Sequence, residues 1–492
     1  MNASPRIVSV LTLTALAAGS PCLDAAQALA DGNARSPQLS CAALNGREYY
    51  NVTVTATQAV PAAGGLPAYC RVSGHEAGTD HDLEVRLPQK WTGRYVQRGG
   101  GGFDGSIAPA ASAPAALQLG AAQGANNGGH RDPSGAALLN DPRATERYAH
   151  AAILTATRFG KAVTRAYYGV APAHAYYDGC SNGGRGALNA AAKYGEEFDG
   201  IVAMAPTLNI TGLVAAMTRF GEQSLPTSAQ FAAVHAAVVA RCDALDGLRD
   251  GIISNWQACQ VDPARDLPAS IGLTPQQVQA LRVLWTGVRG ADGSVLYEGL
   301  GYGDLTDGAA IYARFGLGHL RNVVHSDAQW SPAGGSFDVE RDLPAVRAVL
   351  EGRYQFSASV SGLAQYLRSG RKLLLWHGAE DPIISHRDLI RTWADVMGAA
   401  GAATVGTNAR LYIAPGVAHC GGGVGADRAD LLAAMIQWVE VGKAPGTLVA
   451  SKRDAASGAV RFTRPLCEYP RWPRYNGQGD VNSASSFACV AN

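Results

Sequence analysis

The chain has 492 residues, enough for two or three ordinary domains or for one large α/β core carrying an insertion. Lys and Arg number 41 and Asp and Glu 40, so a formal net charge of +1 gives no electrostatic reason to expect a nucleic-acid partner or an anionic membrane surface. Hydrophobic residues at 47% exclude wholesale disorder, and 59 glycines without a G-X-Y period exclude a collagen-like chain.

At the N-terminus, Arg6 precedes an apolar run at residues 7–19 that is too short to span a bilayer. It reads as the core of a signal peptide, with a small-x-small cleavage site at Ala28-Leu29-Ala30. Residues 1–30 are therefore expected to be removed, and the mature protein to be secreted or periplasmic. No other stretch has 18 unbroken apolar residues, so no membrane span is expected. Cleavage after Ala30 removes Cys22 and leaves Cys41, Cys70, Cys180, Cys242, Cys259, Cys420, Cys467 and Cys489, an even set suited to four disulfides. The absence of a C-x-x-C pair argues against a structural zinc site.

Alternating patterns at residues 50–54 and 83–87 predict half-buried strands. Residues 93–97 predict a short strand that runs into the glycine-rich stretch 99–105. Helical spacing covers 145–168, a strand 173–177, a helix 186–194 and a buried strand 200–205. From about 207 to 369 this rhythm stops. It returns with a strand at 372–376, a helix at 386–397, a strand at 410–413 and a helix at 427–441. Strands alternating with helices imply an α/β chain with a doubly wound, mostly parallel sheet. Residues 31–206 and 370–492 are assigned to that catalytic domain. Residues 207–369 are assigned to an inserted lid, long enough to have its own core.

Gly179-Cys180-Ser181-Asn182-Gly183 matches G-x-S-x-G between a predicted strand and a predicted helix, the context a nucleophile elbow requires. A serine hydroxyl is a poor nucleophile until a base takes its proton. The partners are expected later in the chain, acid before histidine. Asp381 lies in the loop after the strand at 372–376, with Glu380 as the alternative acid, and His419 lies in the loop after the strand at 410–413. Three post-strand loops converge on one edge of a parallel sheet; the competing reading is three ordinary loop residues. An oxyanion hole needs two backbone N–H groups. Asn182 supplies one, and the glycine run the other through Gly102 or, second, Gly101. The run lacks the Gly-Lys-Ser/Thr ending of a phosphate-binding loop. If the three residues converge, Cys180 and Cys420 are held close and should pair in an oxidising compartment. The chain-entropy model gives closure of such a loop a stabilisation of roughly 5 kcal/mol.

Gly-Cys-Ser-x-Gly-Gly at Gly179–Gly184, together with His419-Cys420, resembles the tannase and feruloyl esterase family of α/β-hydrolases, and the resemblance runs from Cys41 to Cys489. It implies Ser181, Asp381 and His419 as the catalytic residues, Gly102 and Asn182 as the oxyanion donors, and a Cys180–Cys420 disulfide. A second shared segment, residues 242–252, places three carboxylates in a short loop closed by glycines; hard oxygen donors of this kind suit Ca²⁺. It is not an EF-hand, since the twelfth-position Glu is missing, and a solvated acidic turn is the competing reading. The family's calcium loop maps onto the carboxylates of Asp243, Asp246 and Asp250 and the carbonyls of Leu248 and Ile252. The resemblance also implies disulfides Cys242–Cys259, Cys41–Cys70 and Cys467–Cys489.

Family members hydrolyse small-molecule esters of aromatic acids such as gallate, hydroxycinnamates or terephthalate half-esters. The insertion offers Trp256, Tyr302, Tyr312, Phe315, Trp330, Phe337 and Tyr354 as aromatic walls, with Phe315 and His377 as the substrate-contact candidates. Arg314 and Arg321 are the candidates for holding a substrate carboxylate. The expected function is a secreted serine esterase for aromatic esters. A terephthalate half-ester hydrolase or polyester depolymerase, and a calcium-stabilised secreted binding protein on an inactive hydrolase scaffold, are the alternatives.

Overall fold

The computed structural model describes residues 34–492; the expected leader, its cleavage site and Cys22 lie outside them. Ten strands form the main sheet: β1 (Glu48–Tyr49), β2 (Val52–Val60), β3 (Tyr69–Glu76), β4 (Asp82–Pro88), β5 (Arg94–Arg98), β6 (Ala122–Asn126), β7 (His174–Cys180), β8 (Gly200–Met204), β9 (Lys372–Gly378) and β10 (Ala409–Ala414). Their spatial order is β1-β2-β3-β4-β6-β5-β7-β8-β9-β10. Pairing is antiparallel from β1 through β4 and between β4 and β6. From β6 onward every neighbour is parallel. This is the α/β-hydrolase arrangement.

The burial patterns explain the difference between the two halves. β2 begins with Val52 and Val54 buried and Thr53 and Thr55 exposed, as one-sided antiparallel strands do. β7, β8 and β9 are buried along almost their whole length because helices cover both faces. In β9 the period of two sends Leu373 and Leu375 to a cluster with the helices Asn182–Tyr194, Val360–Arg368 and His386–Ala400. Leu374 and Trp376 face the helix Leu431–Val441 on the other side.

Residues 50–54 do not begin a strand as predicted. Tyr50 and Asn51 have φ of 53° and 62° and form the two-residue turn that joins β1 to β2, a left-handed pair that tight hairpins require. β6, Ala-Gln-Gly-Ala-Asn, has no β-branched or aromatic residue to announce it, yet every position is buried. Two C-terminal ribbons, Leu448–Arg453 with Val460–Leu466 and Trp472–Tyr475 with Phe487–Val490, also follow the last predicted helix unannounced.

Between β8 and β9 the chain builds a separate hydrophobic cluster that includes Val214, Phe220, Phe231, Leu284, Tyr297, Tyr312, Phe337 and Leu350. Its helices Ile210–Gly221 and Thr306–His319 approach closely through small residues. A Cβ on Gly316 would lie 2.5 Å from Thr218 N, and one on Gly221 would lie 2.8 Å from Ala313 N. This cluster meets the sheet domain at Phe103, Tyr148 and Ile384. The described residues contain four disulfides, Cys41–Cys70, Cys180–Cys420, Cys242–Cys259 and Cys467–Cys489, pairing as the resemblance implied. No helix among the described residues is long and apolar enough to cross a membrane.

Candidate active site

Ser181 directly follows β7 and is the N-cap of the helix Asn182–Tyr194, with φ 62° and ψ −124°. A side-chain-bearing residue enters this region only when its surroundings hold it there. Ser181 N donates to Met204 O at 3.0 Å, and Ser181 O accepts from Arg185 N at 2.9 Å. The turn is pressed backbone-to-backbone against the glycine run. A Cβ on Gly183 would sit 2.5 Å from Gly100 O, and one on Gly179 would sit 2.4 Å from Gly183 O. Gly102, at φ 60°, lines the same cavity as Ser181 and Asn182; Gly101 does not line it. The amide of Asn182 is the first of its helix and has no intrahelical acceptor.

Asp104 ties these two loops together. Asn182 Nδ2 donates to Asp104 Oδ1 at 2.7 Å, while Asp104 N donates to Gly101 O at 2.8 Å. Burial pushes the Asp104 carboxyl up to about 7, against the pull of the Asn182 hydrogen bond and the Arg185 charge. Arg185 Nε donates to Asn182 Oδ1 at 2.8 Å, and the Tyr148 hydroxyl donates to Gly102 O at 2.9 Å. Sequence reasoning missed Asp104, Tyr148 and Arg185. An arginine one turn into a Gly-rich, buried helix was the available signal.

Asp381 is fully buried. Its Oδ1 accepts from the amides of Ile383 and Ile384 at 2.8 and 3.0 Å, and its Oδ2 meets His419 Nδ1 at 2.7 Å. Burial raises the carboxyl, but His419, His377 and the Ile384 amide outweigh it and hold it below the ordinary Asp value. For His419 the balance is reversed: burial disfavours the imidazolium, and Asp381 overcomes that and raises the pKa. Glu380 faces away, 4.0 Å from His235 of the inserted segment, and burial pushes it up. The structure thus brings Asp381, not Glu380, to His419. His419 and Ser181 line one cavity, with Cys180–Cys420 joining the residues beside them across a Cα–Cα distance of 5.9 Å. No hydrogen bond joins Ser181 Oγ to His419 among the described residues; such contacts commonly tighten when substrate binds.

His377 does not reach the cavity. It is fully buried in β9, on the side of Leu373 and Leu375, with Nδ1 donating to Gly378 O at 3.0 Å and Nε2 sealed in without a partner. Strand alternation, not proximity in sequence to Asp381, decides its place.

The cavity has a volume of about 230 Å³. Ile210, Leu213, Val214 and Met217 line it from one helix of the inserted segment, and Ile311, Phe315 and His319 from another. Phe315 stacks on Phe103 at a centroid distance of 4.8 Å. Of the seven aromatic candidates in the insertion only Phe315 lines the cavity; Tyr312, Phe337 and Tyr354 are buried in the segment's own core, and Trp256, Tyr302 and Trp330 pack against it. Arg314 and Arg321 lie elsewhere, donating to Pro133 O and Trp330 O.

In the acidic loop, Asp243 and Asp246 are buried and Asp250 is paired with Arg464 at 2.6 Å. Asp243 accepts from Gly251 N at 3.1 Å, and Asp246 from the amides of Leu248 and Ser254, both at 3.0 Å. Burial pushes Asp246 up to about 6. Among the described residues no three His, Cys, Asp or Glu side chains are gathered as metal ligands. The donor set is nevertheless all oxygen and includes two buried carboxylates without a cationic side-chain partner, a composition that fits a hard cation.

The family model described as tannase and feruloyl esterase matches residues 68–315 and 345–490. A probable feruloyl esterase of Arthroderma benhamiae is 33% identical over 441 residues, covering 82% of this chain and 81% of that protein. The mono(2-hydroxyethyl) terephthalate hydrolase of Piscinibacter sakaiensis is 30% identical, covering 89% and 87%. The crystal structure of feruloyl esterase B from Aspergillus oryzae superposes with a TM-score of 0.80 at 26% identity, covering 94% of this chain and all of that one (100%). A likeness that spans both halves of the sheet domain and most of the segment between them places this chain in the tannase and feruloyl esterase family, as a carboxylic-ester hydrolase.

Proposed function

We propose that the protein is a serine esterase for esters of aromatic acids, hydroxycinnamoyl or galloyl esters, working through an acyl-enzyme on Ser181. The observation that carries this reading is the meeting of Ser181, His419 and the buried Asp381 at one apolar cavity. In this mechanism Ser181 Oγ attacks the ester carbonyl carbon while His419 Nε2 takes its proton, and Asp381 holds the imidazole in the tautomer that leaves Nε2 free. The amides of Asn182 and Gly102 receive the oxyanion. The tetrahedral intermediate collapses, the departing alkoxide takes the proton from His419, and water then repeats the sequence to release the acid. The inserted segment serves as a lid whose helices form the acyl pocket. Four disulfides support export to an oxidising compartment. Ca²⁺ at Asp243, Asp246, Asp250 and the carbonyls of Leu248 and Ile252 would neutralise crowded carboxylates and has no part in the chemistry.

Ser181→Ala tests the reading. A fall in kcat on the order of 10⁶ is expected with the circular dichroism spectrum unchanged. A fluorophosphonate probe should label the wild type at Ser181 and leave the variant unlabelled. Retention of a tenth of the wild-type rate would overturn the assignment.

A further inference from the structure

His319 is used by nothing described so far, yet it sits in the cavity wall and is only 5% exposed. Its ring is held among Phe103, Phe356, Tyr148 and Phe315, with centroids between 4.7 and 6.5 Å away. Its Nδ1 lies 2.8 Å from the Phe315 carbonyl oxygen. A carbonyl can only accept, so Nδ1 carries the hydrogen, and in a neutral ring Nε2 is then a bare acceptor. Burial, aided by the nearby Arg185 charge and opposed by the Phe315 hydrogen bond, pulls the ring down to about 4, so it is neutral at working pH. Nε2 has no partner among the described residues and is not one of their sealed, unsatisfied atoms; it opens to the cavity.

The other acceptors of that wall already have partners. The Tyr148 hydroxyl donates to Gly102 O, and Thr207 Oγ1 accepts from Asn209 N. Arg185, the cation at the cavity, gives four of its five N–H groups to Asn182 Oδ1 and to the carbonyls of Ala149, Phe356 and Tyr148. On the same helix Phe315 and Ile311 stand one and two turns before His319 and offer no charge. The wall therefore presents an apolar slot with one unpaired neutral acceptor, beside a cation already bonded to neutral groups. A phenolic hydroxyl satisfies such an acceptor. A ring carboxylate has no hydrogen to give Nε2 and would meet its lone pair instead.

We propose that His319 Nε2 is the specificity-determining acceptor of the acyl pocket, receiving the hydrogen bond of a ring hydroxyl, so that the enzyme selects esters of hydroxylated aromatic acids over half-esters of aromatic diacids. This rests on the serine-esterase reading and names the substrate class within it.

The test compares kcat/KM for methyl ferulate, for methyl 3-methoxycinnamate, which lacks only the ring hydroxyl, and for monomethyl terephthalate. In the wild type the first should exceed the second by roughly ten- to a hundredfold, because removing the hydroxyl leaves a buried acceptor unpaired. The terephthalate half-ester should be slower still. His319→Phe should bring the first ratio close to one, and His319→Gln, whose amide oxygen can accept, should recover part of it. Equal rates on the first two esters in the wild type would overturn the proposal, as would a preference for the terephthalate half-ester. The wild-type comparison decides the matter even if a His319 variant fails to fold. Turnover of p-nitrophenyl acetate by the wild type keeps the two readings apart: turnover with no hydroxyl preference overturns the role of His319 alone, whereas no turnover overturns the esterase reading and the proposal with it.

Discussion

One wall of the cavity is backbone and the other is side chain. On the sheet side, the strained Ser181 turn and the first amide of the helix after it are pressed against the glycine run, and Gly99, Gly179 and Gly183 leave no room for a single added methyl group. On the inserted side, two helices present Ile210, Leu213, Val214 and Met217, then Ile311, Phe315 and His319, at helical spacing. The first wall places groups whose position must be right to fractions of an ångström. The second can change side chains without disturbing that placement, since its helices pack through Gly221 and Gly316 on their own core. On the proposed mechanism, chemistry and selectivity are thus housed in different materials.

The contrast breaks most severely where the fixed wall is altered. Asp381→Asn should lower kcat by about 10⁴, as the imidazole turns to the wrong tautomer. Glu380→Gln should cost less than about tenfold, since that side chain faces His235. The same pair sharpens the electrostatics. His419 must be neutral to act as base and its pKa is raised by Asp381, so the wild-type rate should rise with pH through a midpoint above the ordinary histidine value. In Asp381→Asn that midpoint should move down. Gly183→Ala should cost roughly 10²–10³ in kcat by driving the glycine run away from the oxyanion position, even though only one methyl is added. A near-wild-type Gly183→Ala enzyme would show that the backbone wall is softer than argued.

The side-chain wall should respond in KM instead. Phe315→Ala should raise KM for methyl ferulate about tenfold with kcat changed less than about threefold, the mark of binding lost equally in ground and transition states. A kcat-only effect would place Phe315 with the chemistry. The smallest effect expected on catalysis comes from the acidic loop. EGTA should lower the melting temperature by several degrees, corresponding to about 2–3 kcal/mol of linkage at a hundredfold excess over Kd, with kcat near unchanged at 25 °C. Ca²⁺ but not equal Mg²⁺ should restore it. An unchanged melting temperature with no calcium by elemental analysis would remove the site.

The difference between the walls also explains what could be read without coordinates. Ser181, His419 and Asp381 were legible because each lies in a loop directly after a strand with a clear pattern, and chain order does the rest. The preference for Asp381 over Glu380 had less to rest on, because adjacent residues in a loop differ only in the direction the backbone gives them. His377 was legible in principle: the alternation of β9 puts it with Leu373 and Leu375, beneath the site. His319 and Ile311 were not, since a helix in an insertion shows which residues share a face but not what that face meets. Asp104 was hidden for a different reason. Its importance lies in bridging two loops that are 78 residues apart, and no local pattern encodes that.

Three of the disulfides join cysteines 17, 22 and 29 residues apart, and the fourth spans 240. At synthesis rates of roughly 5–20 residues per second, Cys180 waits about 10–50 s for Cys420 to be made. Cys242 and Cys259 emerge in that interval. Cys180 must stay unpaired meanwhile, or be freed from a wrong partner by thiol–disulfide exchange. The bond beside Ser181 and His419 is therefore a record of completed biogenesis. A chain that stops short of residue 419 carries Ser181 but not His419.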